Sequence, residues 1–413
     1  MKKQGILLLP LALIAGVCFM SWPFAAQERT ILGNEIFTQS LLHRMSQKRL
    51  GFVCNQTSVL PSGKSLVQTA LENGHSGLVV FTPEHGFTGT EEAGEAVSDN
   101  TLGKIQVISL YGRTKRPSQE QTREIDAFVY DIQDVGTRFY TYITTLKYVL
   151  EAAAEFGKTV YVLDRPNPVG GHIVEGFLLQ PQFESFIGAV PIPTRYGLTI
   201  GELALMMKGE SWVPPQVDLH VVRMKNWHRS FFWEDTGLPW TPTSPNIPFP
   251  ETAIIYPGTG LLGALTINQG LGTPNPFLQF GAPWLDVQSI ILNLDGGKYF
   301  GVELEPLTYT PRSLPGKTLH PSYENRLCRG IRVRIVNKDK FLSLHFSLAL
   351  IKVICERHPE EIRLHTSSLN QMFGSDLLER YIEGKVGYAA LLAEMEKEER
   401  AFRQMRQKYL LYD

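Results

Sequence analysis

Between residues 49 and 168, short apolar runs alternate with stretches in which apolar residues recur every three or four positions. The runs fall at 51–54 (GFVC), 78–81 (LVVF), 105–110 (IQVISL), 125–130 (IDAFVY) and 159–163 (TVYVL). Between the last two, Ile143, Leu146, Val149, Leu150 and Ala153 share one helical face, and Gly157 stands where a left-handed residue closes a helix. Strands covered on both faces read as continuous apolar runs, with helices supplying the crossovers. The pattern therefore predicts an α/β domain built on a doubly wound, Rossmann-like parallel sheet.

The pattern then changes. Pro, Gly and Asn crowd residues 239–276, which predicts a long irregular connection wrapping the first domain and leading to a second. Beyond it, 330–336 (GIRVRIV) alternates as a half-buried strand, 341–356 is helically periodic, and 388–409 reads as a charged surface helix. The 413 residues exceed the roughly 250 to 300 at which single cores stop growing. The expected organisation is a Rossmann-like domain over 29–255 and a smaller α+β domain over 256–413 that closes a cleft.

Residues 1–26 stand apart. Lys2 and Lys3 precede an apolar run from Ile6 to Met20, and Ala25 and Ala26 come before the first acid. This is the layout of an export signal or, since Pro23 and Phe24 suit a cleavage site poorly, of an uncleaved membrane anchor. The expected location is periplasmic or secreted. Cys54, Cys328 and Cys355 follow the leader, an odd number far apart, and are expected as buried thiols. The 40 Lys plus Arg balance 41 Asp plus Glu without a block of like charge, so no counterion-releasing surface for nucleic acid is expected.

Polar residues leave the strands. Asn55 follows the first, Glu84 and His85 the second, Asp131, Gln133 and Asp134 the fourth, and Asp164, Arg165 and Asn167 the fifth. In open α/β sheets the carboxyl edge carries the ligand crevice. The first strand-to-helix connection, CNQTSVLPSGKS, lacks GxGxxG, and GxxxxGK[ST] is missing too. With no CxxC, HExxH or close His/Cys cluster, no cofactor and no metal ion is expected.

Glu84 follows Pro83, which ends sheet pairing and turns the next side chain toward the crevice. A carboxylate beside an apolar sheet edge suits proton donation near neutral pH, with His85 and Asp131 to orient it. The segment 131–142 (DIQDVGTRFYTY) adds two carboxylates, an amide, Arg138 and three aromatics, Tyr140 among them. Such groups hold sugars, whose hydroxyls need directional hydrogen bonds and whose C–H faces stack on rings. Arg138 either meets a substrate carboxylate through its planar fork or pairs with Asp134 to brace the loop. Glu175, in the glycine-rich stretch 163–176 (LDRPNPVGGHIVEG), and Asp164 are the candidates for a second carboxylate, as base or nucleophile.

PEHGFTGTEEAGE (83–95), ISLYGRTKRP, VYDIQDVGTRFYTYI, LDRPNPVGG, YGLTIGELA (196–204), MKNW (224–227) and TSPNIP, taken in order, resemble the NamZ-type exo-β-N-acetylmuramidase family. The resemblance runs from about residue 30 to the C-terminal RQKYLLYD. It implies a Rossmann-like domain, a smaller C-terminal domain and a cleft between them that removes N-acetylmuramic acid from non-reducing ends of peptidoglycan fragments. It also implies Glu84 as the catalytic acid, a carboxylate partner for Arg138 or Arg165 in the lactyl group of muramic acid, and a substrate contact for Asn246 of TSPNIP. Where the family typically carries acids and then an arginine, LLGALTINQGLGT has Gly263, Gln269 and Leu271; Tyr196 stands where a histidine is common. Two expectations follow: a glycosidase acting on peptidoglycan fragments or other amino-sugar glycans, or a binding protein for the same glycans that has lost the chemistry. An amidase or esterase has no GxSxG elbow or Cys/His signature behind it.

Overall fold

The computed structural model describes residues 28–92, 94–103 and 105–413; the expected leader, 1–26, lies outside them. The predicted runs form β1 (Leu50–Cys54), β2 (Val79–Thr82), β4 (Ile105–Ser109), β5 (Ala127–Asp131) and β6 (Thr159–Leu163), joined by β3 (Asn100–Leu102) and β7 (Asp218–Val222). Their order is β3-β4-β2-β1-β5-β6-β7, and every neighbouring pair is parallel except β3 with β4. Every residue of β1, β2 and β5 is buried, which is why these strands read as unbroken apolar runs. β7 escaped that reading because it is an edge strand with exposed Asp218 and His220, whose side chains meet at 3.0 Å.

The helix Tyr142–Phe156 buries Ile143, Leu146, Val149, Leu150 and Ala153 as the periodicity requires. It ends at Gly157, whose φ of 64° lets its N–H return to the Ala153 carbonyl.

The stretch 239–276 is not irregular throughout, and that expectation is corrected. Its centre is the helix Pro250–Thr259, continued by a 3-10 turn, Gly260–Ala264. Pro250 begins the helix, where a missing N–H costs nothing, but Pro257 lies inside it. An interior proline costs about 3 kcal/mol. Ile254 and Ile255 are fully buried, and burying such a side chain contributes roughly 1.5–3 kcal/mol, so two of them offset the proline. Gly258 permits the contact that buries them: a Cβ there would lie 2.1 Å from the Ser343 carbonyl oxygen.

The C-terminal part carries an antiparallel sheet in the order β8-β10-β9, comprising β8 (Gln279–Ala282), β9 (Val302–Tyr309) and β10 (Cys328–Ile335). The helices Ser343–Arg357, Thr366–Phe373, Leu377–Ile382 and Tyr388–Arg406 pack with it. One apolar core runs from the large sheet into these helices, joining Phe128 and Phe139 to Phe277, Leu344 and Phe373. The last helix is more than a charged surface helix: Leu391, Met395, Glu399, Phe402 and Arg406 are buried along one stripe. The cysteines are free thiols; Cys54 and Cys328 are buried and Cys355 is half-buried. Among the described residues no helix is long and apolar enough to cross a membrane.

The seam at Gly258 yields a stability prediction. Gly258→Ala should lower unfolding stability by about 1–3 kcal/mol, the usual cost of overpacking, read as a lower urea midpoint with an unchanged slope.

Candidate active site

β2 ends at Thr82 because Pro83 has no N–H to offer a neighbouring strand. Glu84 follows, then His85 and Gly86 in left-handed backbone with φ of 69° and 72°. Glycine adopts that conformation freely, whereas a histidine held there costs of order 1–3 kcal/mol, strain of a kind that gathers at functional sites. The bend is tied to residue 91. Glu91 N–H donates to the His85 carbonyl at 3.3 Å, and His85 Nδ1 lies 2.6 Å from the Glu91 carbonyl oxygen. A carbonyl only accepts, so Nδ1 carries the proton and Nε2 is the acceptor of the neutral ring.

Both Glu84 oxygens are engaged. The Gly94 N–H donates to Oε1 at 2.8 Å and the Thr141 hydroxyl to Oε2 at 2.6 Å. The Tyr111 phenol adjoins them; burial first, then the Glu84 charge and a hydrogen bond to that carboxylate, raise it above the usual tyrosine range. Glu84 and His85 line a cavity of about 440 Å³, within the range of small-molecule sites. In its wall Tyr140 and Tyr256 meet edge to face at 6.1 Å, with Phe139 and Phe277 at 5.1 and 4.7 Å from the Tyr256 ring. Ser244, Asn246, Gln269 and Ser368 add polar side chains to its wall. Among its described lining residues Glu84 is the only carboxylate, and no lysine or arginine is present.

Four of the expected site residues, Glu84, His85, Tyr140 and Asn246, thus share one cavity. The others do not reach it. Asp131 pairs with Arg165 at 2.6 Å and accepts from the Asn34 amide at 3.1 Å. Asn55 turns back on Thr57, accepting from its N–H at 2.9 Å and its hydroxyl at 2.6 Å. Gln133 donates to the carbonyls of Asp134 and Pro166, and Asn167 to that of Leu198. These tips fill the point between β1 and β5 where strand order reverses, the expected crevice, and leave there only about 30 Å³. Asp131 and His85 therefore do not orient Glu84; Thr141, Gly94 and Tyr111 do.

The three remaining expectations are corrected by burial. Arg138 neither faces a ligand nor pairs with Asp134: its fully buried guanidinium donates to the carbonyls of Phe177 (2.6 Å), Ile192 (2.6 Å) and Met372 (2.9 Å). Glu175 is no open-loop acid. It pairs with Arg195 at 3.0 Å and accepts from the N–H groups of Ser343 (3.2 Å) and Leu344 (3.1 Å), at the start of a helix. Asp164 is covered by the C-terminal tail, accepting from the hydroxyls of Tyr412 at 2.6 Å and Thr199 at 2.8 Å and from Gly201 N–H at 2.8 Å. Burial pushes its carboxyl up to about 7, helped by Glu202 and opposed by those hydrogen bonds.

Thr141 and Tyr111, the donors on Glu84, stand inside stretches singled out by sequence, yet nothing local marked them as its partners. Tyr256 lay in the stretch read as irregular, and Phe277 just after it. The three departures converge: Gly263, Gln269 and Leu271 all line the cavity, and a Cβ at 263 would lie 3.0 Å from the Gln269 side-chain amide. Tyr196 lies elsewhere, donating its hydroxyl to Asp134.

Comparison with known proteins places these features in context. The family model described as "Exo-beta-N-acetylmuramidase NamZ, N-terminal" matches residues 50–251, and its C-terminal counterpart matches 254–412. The peptidoglycan β-N-acetylmuramidase NamZ of Bacillus subtilis is 38% identical over 374 residues, 89% of this chain and 88% of that protein. Two crystal structures of DUF1343 family proteins from Bacteroides fragilis superpose on the chain. One has a TM-score of 0.85 at 32% identity, covering 93% of this chain and 99% of the other; the second has 0.75 at 30%, covering 94% and 99%.

Two substitutions test the corrections. Glu175→Ala leaves Arg195 without its buried partner and should cost about 3–5 kcal/mol of stability in chemical unfolding; a catalytic role would instead remove activity at unchanged stability. Asp164 holds a proton in the folded state up to about pH 7, whereas unfolded aspartate releases it near 4. Its contribution is therefore complete below about pH 4 and is lost as pH rises through about 7, on the order of 1 kcal/mol per pH unit. Asp164→Asn should flatten the fall in melting temperature between pH 5 and 8.

Proposed function

The chain belongs to the NamZ exo-β-N-acetylmuramidase family, and from that membership and the cavity's chemistry we propose a glycoside hydrolase that removes an N-acetylmuramic acid or related terminal sugar from peptidoglycan fragments. Glu84 is the proton donor. The observation that carries this reading is a single carboxylate, gripped at both oxygens by Gly94 and Thr141, at the wall of an aromatic-lined cavity of sugar dimensions. The terminal sugar stacks on Tyr140 and Tyr256, with its hydroxyls on Asn246, Ser244 and Gln269. Proton transfer from Glu84 to the glycosidic oxygen lets the leaving portion depart as an alcohol. Glu175 and Asp164 are engaged elsewhere, and Glu84 is the only carboxylate among the described lining residues. Attack at the reacting carbon falls to water, or to the acetamido oxygen of the sugar itself as in substrate-assisted glycosidases, and His85 Nε2 is the acceptor for the water proton. An exported protein suits such substrates and the leader expected over residues 1–26.

A second reading, a glycan-binding protein without turnover, draws support from the same solitary carboxylate and from Gly263, Gln269 and Leu271 in the cavity wall. One comparison separates the two. On a chromogenic β-N-acetylmuramide, Glu84→Gln should lose at least about 10²-fold in kcat, while calorimetry still detects sugar binding. Equal turnover by both proteins removes Glu84 from the chemistry, and binding with no turnover by the wild type establishes the binder.

A further inference from the structure

The segment after Leu271 leaves the cavity and enters an open groove of about 570 Å³ beside β9 and β10. Gly272 and Thr273 form its near end; Leu307 and Tyr309 of β9 form its floor. Three cationic side chains line it, Arg312, Lys317 and Arg332, all solvent-exposed, and no carboxylate does. Among the described residues none of the three meets an acid at ion-pair distance. Arg312 donates to the Asn325 amide oxygen at 2.6 Å and Arg332 to that of Gln279 at 3.4 Å, both neutral acceptors. Glu305, opposite Arg332 in the β9–β10 register, is engaged by Arg334 at 3.4 Å. In a chain of net charge −1, three uncompensated cations along one groove are a local field for anions.

The groove and the cavity are physically joined. Asn246, a cavity residue, donates to the Lys317 carbonyl at 3.1 Å, Arg312 N–H donates to the Gly272 carbonyl at 2.9 Å, and Leu319 N–H donates to Glu92 at 2.9 Å. The segment 312–319 therefore spans from the groove to the loop that also supplies Gly94 to Glu84.

We infer that this groove is the binding site for the leaving portion of the substrate, recognising carboxylates of a peptide attached to the glycan. The inference rests on the glycosidase reading. A sugar whose glycosidic oxygen faces Glu84 must send the rest of its chain out of the cavity, and the groove beginning at Gly272 receives it. Division of labour follows. The cavity, with no lysine or arginine among its described lining residues, selects the terminal sugar by shape and hydrogen bonds. The groove, cationic and exposed, adds affinity for an acidic continuation and makes that affinity salt-dependent.

The test uses the full-length protein and the triple variant R312Q/K317Q/R332Q on two substrates: a chromogenic single-sugar glycoside, and a glycan whose leaving portion bears a peptide with free carboxylates. On the second, KM should rise about tenfold or more in the variant, and the wild-type increase of KM with salt should disappear. On the first, kcat and KM should stay within twofold. Amidating the peptide carboxylates should weaken the wild type to the level of the variant. Equal KM values on the acidic glycan, or a loss that persists after amidation, overturn the groove. If the wild type turns over neither substrate, the glycosidase reading fails separately, and calorimetry of the acidic glycan with the wild type and the triple variant decides whether the groove binds it.

Discussion

Two buried charges of opposite sign hold the C-terminal helices against the large sheet. Glu175, in the loop after β6, meets the first N–H groups of the helix Ser343–Arg357, which have no acceptors within their own helix. Arg138, in the loop after β5, takes the Met372 carbonyl in the last turn of the helix Thr366–Phe373 together with two loop carbonyls. An anion at a helix start and a cation at a helix end are each the favourable sense of the helix dipole. Burial of such charges is costly unless every lone pair and proton finds a partner, so the geometry tolerates little displacement. Gly374 reflects this: a Cβ at that position would lie 2.5 Å from the Arg138 guanidinium. Glu399 and Arg406, from the last helix, add further charged contacts to the Gly176 N–H and the Gly171 carbonyl.

The cavity depends on that seam because its walls come from both sides of it. Glu84, Tyr140 and Thr141 stand on loops of the large sheet, while Gln269, Ser368 and Met372 come from the C-terminal part. The site is also displaced from the strand-order reversal, where Asp131 bridges Asn34 and Arg165. The Arg165 Nη2 and Gln133 Oε1 have no hydrogen-bond partner there, but they border only about 30 Å³, too little for a sugar. The tip after β2, where a proline stops the strand and a strained histidine follows the glutamate, is the one that opens on a cavity of sugar size.

One carboxylate among the described lining residues narrows the chemistry. Glycosidases that use two carboxyl groups place both beside the scissile bond, and here the two other candidates serve a helix terminus and a C-terminal tail. The neutral wall formed by Gly263, Gln269 and Leu271 extends the same theme: this side of the cavity carries no charge, while the neighbouring groove is lined by three cations. Discrimination by hydrogen bonds inside and by charge outside is a physically coherent way to recognise the end of an acidic polymer.

The central strands, the helix Tyr142–Phe156 and the prominence of Glu84 were legible along the chain, because burial on both faces, 3.6-residue periodicity and a proline at a strand end are local properties. The helix Pro250–Thr259 was not, since its two prolines and Gly258 read as breakers until a partner helix buries Ile254 and Ile255. Residue type likewise identified acids, amides and guanidinium groups at the strand tips without saying which would be consumed by structure. Glu175 finds its amides 168 residues away and Asp164 its tyrosine 248 residues away. Sequence thus determined the sheet and the kinds of groups at its edge. Only the tertiary structure decided which of them stay unpaired, because hydrogen-bond partners of buried charges are set by packing between distant segments.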